Sequence, residues 1–211
     1  MTASFATYRQ ELQVFQSARL RRDFADFAEH AQYAELGEFF FTEMYGARDF
    51  SARNAATRKL QHFTYLAPGL ELNDITQAVE LLDLTQWLDD MMAQCIMAMK
   101  VALPFSEAAY EYAYRVVGSY AHRERQIELA CSTLFNIHRI TGVPFVGTAL
   151  RQLRPVAIFT GIAELHDFLL KGHDAFRPVQ DVHYFVETLR TRETDRLQRI
   201  FAAAGSQGGD V

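Results

Sequence analysis

Arginine, tyrosine and carboxylate side chains recur at a few points of the chain where they could together bind an anion. Several of them lie in the stretch EFFFTEMYGARDFSARN at residues 38–54. Guanidinium groups donate two parallel hydrogen bonds to a carboxylate or phosphate, and tyrosine hydroxyls add further donors. The candidate site residues are Glu43, Tyr45, Arg48, Asp49, Arg53, Asp89, Tyr114, Arg115 and Arg154.

Two interpretations of these residues are open. Arg115 and Arg154 both lie among apolar neighbours, and an unpaired buried guanidinium costs on the order of several kcal/mol. In the first interpretation the arginines form internal ion pairs with Glu43, Asp49 or Asp89 that tie helices together. In the second they form an anion pocket, with Arg48, Arg53, Arg115 and Arg154 as donors and Tyr45, Tyr110 and Tyr114 as walls.

The chain also contains groups that could transfer a proton. Asp89 and Asp90 are adjacent, so on a helix their side chains point about 100° apart and do not form a ready acid and base pair. We expect Asp89 to face inward and meet an arginine. If the pocket is catalytic, Tyr45 or Glu43 is the expected proton donor or base.

The run Phe39-Phe40-Phe41 raises a separate question about partners. Three successive positions cover most of a helix circumference, so at least one ring must point away from the core stripe of Phe40 and Met44. We expect that ring to meet another helix of the chain, a homodimer interface, or a pocket for an acyl or aromatic ligand.

Common motifs for phosphate, dinucleotide, hydrolase and zinc chemistry do not occur in the sequence. Its seven histidines include no pair at i, i+4 spacing, so we predict no metal site and no cofactor. Cys95 and Cys131 lack CxxC spacing and lie in apolar helical patterns. They are expected to be small buried side chains in a reducing compartment.

Helical periodicity extends along almost the whole chain, and no segment has the alternation typical of a strand. The pattern predicts a single all-α domain over residues 1–202, a bundle of seven to nine helices, followed by a disordered tail at residues 203–211. Predicted helices include residues 5–32, 33–45, 50–66 and 179–202, with Gly46 at the end of the second.

Caps and turn residues predict the other boundaries. Asn73 or Asp74 is expected to begin a helix. Ser106 begins the longest periodic segment, which we expect to bend near Gly118 and to end at Gly142.

Four further expectations concern a kink, a cap and the inner faces of the bundle. Pro155 should kink or restart its helix, and Gly172 should cap the helix that follows. Trp87 should lie on an inner stripe with Met91 and Cys95. Residues 80–100 and 129–163 are apolar nearly all round, so these helices should be central, with the charged first and last helices outside them.

Composition and charge restrict the partners. A net charge of −5 over 211 residues disfavours nucleic acid as a partner. No run of about 18 uncharged apolar residues occurs, and the N-terminus lacks a signal-peptide pattern. We therefore expect no membrane insertion and a cytoplasmic location.

One resemblance covers most of the chain. The segment FFFTEMYG at residues 39–46, followed by DFSAR at residues 49–53, resembles the hallmark of a family of uncharacterised bacterial proteins named for a "FFLEELY" motif. LTQWLDDMMA, YEYAYR, RERQIEL and GIAELHDFLLKGHDAF are also similar in pattern. This chain has Thr42 where the motif has its first glutamate, and Asn54 where an aspartate is expected. The resemblance implies no activity.

We therefore predict a non-enzymatic binding or regulatory protein. Its partner would be another protein, a second copy of the chain, or an anionic amphiphilic small molecule. The alternative is an enzyme that acts on an acyl- or phosphate-bearing small molecule in the pocket lined by arginine and tyrosine.

Overall fold

The computed structural model describes residues 3–44, 54–57 and 72–202. Within these ranges the chain forms helices and turns without a β-strand, which confirms the predicted all-α class. The predicted helix at residues 50–66, except for a helical turn at residues 54–57, lies outside the described residues, as do Gly46 and the predicted tail. No described helix has the length and apolar character needed to cross a membrane.

The described helices are α1 (Phe5–Asp23), α2 (Ala25–Glu29), α3 (Ala34–Phe39), α4 (Leu72–Ala98), α5 (Glu107–Val117), α6 (Tyr120–Thr141), α7 (Val146–Phe159), α8 (Ala163–Phe176) and α9 (Val182–Ala202). A π-helical turn, Phe40–Met44, continues α3. The predicted boundaries of the longest segment are confirmed. Ser106 caps α5 by accepting a hydrogen bond from the Ala109 amide at 3.2 Å, and the chain turns at Gly118 and Gly142.

Helix α6 is central in the described bundle because α4, α7, α8 and α9 all pack against it. On the outer sides, α1 packs on α4, and α3 packs on α8. The main hydrophobic core forms where α6 and α9 meet the segment from α1 to the π turn. A second core lies between α1, α4 and α5.

All three rings of the Phe39-Phe40-Phe41 run are buried. Phe39 packs against Phe168 at 5.2 Å between ring centroids, and Phe40 meets Phe185 at 6.2 Å. A π turn holds an extra residue per turn and so changes the angular position of the side chains that follow it. The rings therefore meet other helices of the same chain, which was the first of the three expected partners.

The predicted order of central and outer helices is wrong for α7 and α9. Most of α7 is exposed, including Leu153, Val156 and Phe159, whereas one face of α9 is buried in the core. Helix α7 is rich in apolar residues but also carries Arg151, Gln152 and Arg154, and its buried residues are Gly147 and Ala157. The overall apolar content of a helix therefore predicted the wrong positions for α7 and α9. Burial depends on whether one face of the helix is continuously apolar.

Four local predictions are also wrong, wholly or in part. The predicted helix at residues 5–32 breaks at Phe24, whose non-helical backbone lets both Phe24 and Phe27 enter the core. Pro155 lies inside α7, so the helix does not restart there, and a kink stays a prediction. Gly172 lies inside α8 and does not cap it. A glycine is needed there because a Cβ would be 3.1 Å from the ring of Phe39.

Trp87 is the fourth difference, since its side chain is exposed and its ring lies 5.0 Å from that of His122. Leu88, Met92 and Ile96 form the inner face of α4 instead. Helix α4 carries apolar residues on more than one stripe, so periodicity alone could not select the face that packs.

We predict that Gly147→Ala lowers the free energy of unfolding by about 1–3 kcal/mol, as overpacked cores do. A Cβ at Gly147 would overlap Cε1 of the buried His173 ring and would lie 2.6 Å from its Nε2. Urea denaturation would measure the loss. Gly142→Ala is the matched control, because its Cβ would lie 3.4 Å from its nearest neighbour and its φ of −76° suits alanine. Equal stability of the two variants would contradict the prediction.

Candidate functional site

A polar cavity of about 70 Å³ lies between α1, α4, α5, α6 and α9, next to the π turn. None of the residues that line it is exposed. Its polar lining consists of Gln16, Arg19, Thr85, Asp89, Tyr110, Tyr114, Arg123, Gln126, Glu193 and Arg196. Water needs roughly 10–15 Å³ of such space, so the cavity has room for more than one water molecule or for a small solute.

Arg123, near the start of α6, is the most deeply buried of the cavity's cations. The residue is 3% exposed, and its guanidinium carbon lies 4.3 Å from the centroid of the Tyr114 ring. Its Nε and Nη2 atoms are buried and have no hydrogen-bond partner among the described residues. Buried charged donors without partners are costly. Arg123 is also one of the residues that line the cavity.

Asp89, on α4, is the buried carboxyl group that faces this cation. Gln16 Nε2 donates a hydrogen bond to Asp89 Oδ1 at 3.0 Å. Burial raises the pKa of Asp89, although the Gln16 hydrogen bond and the charges of Arg123 and Arg9 oppose that rise. Neighbouring Asp90 instead forms an ion pair with Arg9 at 3.1 Å.

Arg19 and Arg196, which also line the cavity, differ from Arg123 because carboxylates compensate them. Arg19 Nη1 donates to Glu193 Oε1, and Arg196 Nη1 donates to Glu107 Oε1 at 3.1 Å. Burial alone lowers the pKa of the Arg19 guanidinium, but Glu193 raises it above its ordinary value. Arg19 Nε and Arg196 Nη2 still lack hydrogen-bond partners among the described residues.

Hydroxyl and amide groups complete the lining. Burial raises the pKa of the Tyr114 hydroxyl, so this group remains a neutral donor and acceptor. Gln126 Nε2 donates to Thr85 Oγ1 at 2.8 Å, which connects α6 to α4 across the cavity. The cavity lining thus combines the two unpartnered donors of Arg123, single unpartnered donors on Arg19 and Arg196, and several neutral polar groups.

Of the residues predicted from sequence, the structure brings Asp89 and Tyr114 together at this cavity. Arg115 follows Tyr114 on α5 but does not line the cavity. Glu43 is buried in the π turn and accepts a hydrogen bond from Lys171 Nζ at 2.7 Å. Tyr45, Arg48, Asp49 and Arg53 lie outside the described residues.

Arg154 was expected either to extend past its apolar neighbours to solvent or to be paired inside, and its position matches the first of these. Its side chain is 58% exposed, and its Nε lies 3.5 Å from Asp167 Oδ1 in a surface ion pair. The reason is the peripheral position of α7, which leaves the apolar neighbours of Arg154 exposed as well.

The sequence did contain a signal for Arg123. Arg123 precedes Ile127, Ala130 and Leu134 at spacings of four, three and four on α6. This is the stripe that α6 buries, so a charged residue on it must face the interior. Reading RERQIEL as a charged surface run hides that position.

Within the described ranges, no group of three or more histidine, cysteine, aspartate or glutamate side chains could hold a metal ion. Burial raises the pKa of the Cys131 thiol to about 11, so this buried cysteine is a poor nucleophile.

Comparison with known proteins places the chain in a family without assigning it an activity. No curated protein and no solved structure matches it. One family model, described as a domain of unknown function (DUF8198), matches residues 2–207. Because that match spans nearly the whole chain, the protein belongs to the DUF8198 family.

Proposed function

We propose that this protein is a non-enzymatic binding protein that holds a small anion in its central polar cavity. The observation that supports this function is the buried edge of Arg123, whose Nε and Nη2 donors have no partner among the described residues. A guanidinium binds anions tightly in a dry environment because its hydrogen bonds are charge-assisted. An anion at this edge would satisfy both donors and compensate the charge.

The cavity limits the size of the ligand. Its volume of about 70 Å³ is about half of an engineered cavity that accepts benzene, whereas drug-sized ligands need about 300 Å³ or more. We therefore infer a guest of about three to five non-hydrogen atoms. The cavity suits a compact anion, or the anionic group of a larger molecule, and it has no room for an acyl chain.

Catalysis on a bound anion is the second candidate function, and Asp89 is the observation that favours it. A buried carboxyl group with a raised pKa beside a cation is typical of an acid or base in an active site. Recovery of the ligand chemically unchanged after incubation with the protein would argue for binding alone.

The first test compares Arg123→Met with Arg125→Met. Arg125 is an exposed residue two positions further along α6, where it pairs with Glu80. A saturating panel of nitrate, formate, phosphate and sulfate should include an anion that stabilises the wild type by about 2.7 kcal/mol at a hundred times its Kd. Arg125→Met should gain the same amount, and Arg123→Met should gain none.

Without an added anion, Arg123→Met should change the free energy of unfolding by less than about 1.5 kcal/mol, because methionine fills similar space without an unpartnered charge. If Arg123 were an internal strut, its loss should instead cost about 3–5 kcal/mol. If no anion stabilises the wild type, and native mass spectrometry finds no bound small molecule, the cavity holds water alone and the proposed function is wrong.

A further inference from the structure

The free edge of Arg123 specifies the kind of anion. Nε–H and the adjacent Nη2–H of a guanidinium point in the same direction and match two oxygens of one oxyanion. Both of these atoms are without partners in Arg123, and both are buried. A halide at this edge would be one acceptor shared by both donors, whereas a carboxylate, nitrate or phosphate could offer a separate oxygen to each.

The charges around the cavity determine what must accompany the anion. Arg19 pairs with Glu193, and Arg196 pairs with Glu107, so these two cations are already compensated. Arg123 faces Asp89 without a direct hydrogen bond to it. While Asp89 is ionised, its negative charge balances the positive charge of Arg123, and no net positive charge is left to attract an anion. A protonated Asp89 would leave one positive charge available.

Every element around Asp89 contributes groups that affect this proton. Arg9 and Gln16 from α1 and Arg123 from α6 favour the carboxylate, and Asp90 on α4 disfavours it. Burial disfavours the carboxylate most strongly and raises the pKa of Asp89. The remaining polar groups of the cavity are Arg19, Thr85, Tyr110, Tyr114, Gln126, Glu193 and Arg196. An anion next to Arg123 would cancel part of the attraction that favours ionised Asp89.

We propose that the ligand is a compact oxyanion with two oxygens on the Nε and Nη2 edge of Arg123, and that it enters the cavity together with one proton, which Asp89 takes up from solvent. This inference rests on the proposed function and names its ligand class. A carboxylate and a mineral oxyanion share this chemistry, and separate titrations distinguish them.

The sign of the pH dependence follows from linkage. The anion raises the pKa of Asp89 further, so the complex holds the proton more tightly than the free protein. Affinity therefore falls as pH rises through the interval between the free and the bound pKa values of Asp89. Within that interval Kd should increase by up to about tenfold per pH unit.

Isothermal titration with nitrate, formate and chloride tests the proposal. Runs in two buffers with different heats of ionisation count the protons taken up per anion. We expect nearly one proton per oxyanion in the wild type within the interval, and chloride should bind more weakly than nitrate. Asp89→Asn should bind without proton uptake, independently of pH and more tightly at neutral pH. Asp90→Asn is the matched control and should keep the uptake of one proton, over a pH interval shifted downward because Asp90 raises the pKa of Asp89.

Arg123→Lys separates the shape of the edge from its charge. Lysine keeps the cation but lacks the paired donors, so this variant should lose the preference for nitrate over chloride. If wild-type protein distinguishes nitrate from chloride no better than Arg123→Lys does, the two-oxygen contact is wrong.

Measurements of the free energy of unfolding against pH would show whether Asp89→Asn is folded, and they give a second test of the role of Asp89. The pKa of Asp89 in the folded state lies above its ordinary value of 3.8. The stabilisation that this group contributes to the folded state is therefore fully present below about pH 3.8. It is lost as pH rises through the folded-state pKa. Asp89→Asn should remove this loss.

The outcomes separate this inference from the proposed function. Anion binding without proton uptake, or with the same uptake in Asp89→Asn, would overturn the role of Asp89 and leave anion binding intact. Failure of every anion to bind the wild type, with a neutral molecule bound instead, would overturn the oxyanion and also the anion binding of the proposed function, and would leave only a binding role. The absence of any bound molecule would overturn both.

Discussion

Replacing Phe40 by alanine is expected to lower the free energy of unfolding by about 3–5 kcal/mol. The Phe40 ring is 2% exposed and meets Phe41 and Phe185 at centroid distances of 5.9 and 6.2 Å in edge-to-face contacts. It also lines the polar cavity, so its removal would open an apolar void onto that cavity. The π turn cannot collapse easily into the space, because Phe39 and Phe41 are held by their own contacts. Urea denaturation of the wild type and of Phe40→Ala would measure the loss in the free energy of unfolding.

Phe159→Ala is the matched control for this prediction. The Phe159 ring is 92% exposed at the end of α7, and surface substitutions change the free energy of unfolding by about 0.5 kcal/mol or less. A loss below about 1.5 kcal/mol in Phe40→Ala would show that the site repacks, since truncation of a large core side chain costs less when its neighbours can close in.

Replacing Glu193 by alanine is expected to cost about 3–5 kcal/mol, because it leaves the buried Arg19 guanidinium without its main partner. Arg19 is 8% exposed and donates a hydrogen bond to Glu193. Asp23 lies 3.6 Å from Arg19 Nη1 and compensates only part of the charge. The effect should appear in urea denaturation at neutral pH.

Glu187→Ala provides the comparison on the same helix. Glu187 forms an i, i+3 ion pair with Arg190 at 3.3 Å, and both side chains are exposed. Such surface pairs contribute less than about 1 kcal/mol. A double variant, Arg19→Met with Glu193→Leu, should recover most of the loss in Glu193→Ala, because it removes both charges from the interior. Continued instability of the double variant would indicate that packing, and not the unpaired charge, causes the loss.

Much of the fold could be predicted because it depends on neighbours along the chain. Helical periodicity, the Ser106 cap, the turn at Gly118 and the end of α6 at Gly142 are local properties of residues close in sequence. Gly172 was misread because its reason is a contact with Phe39, which lies far away in sequence. A glycine required by close packing looks the same in a sequence as one required by a turn.

The candidate site was predicted only in part. Asp89 and Tyr114 were selected for their chemistry, and they do line the cavity. Arg154 was selected because its neighbours are apolar, but those neighbours turned out to be exposed with it. Arg19 and Arg123 were missed because arginines were selected for apolar neighbours, and charged residues lie close to both of these in the sequence.

The sequence by itself determined that the chain forms helices, where several of them begin and end, and that Asp89 points inward. Those properties follow from backbone hydrogen bonding and from the period of apolar residues. Only the tertiary structure decided that α6 is central, that α7 is outside, and that Arg123 meets the cavity with its paired donors unsatisfied. Burial and partnering of a charge depend on which helices pack together, and residues from five helices surround this cavity.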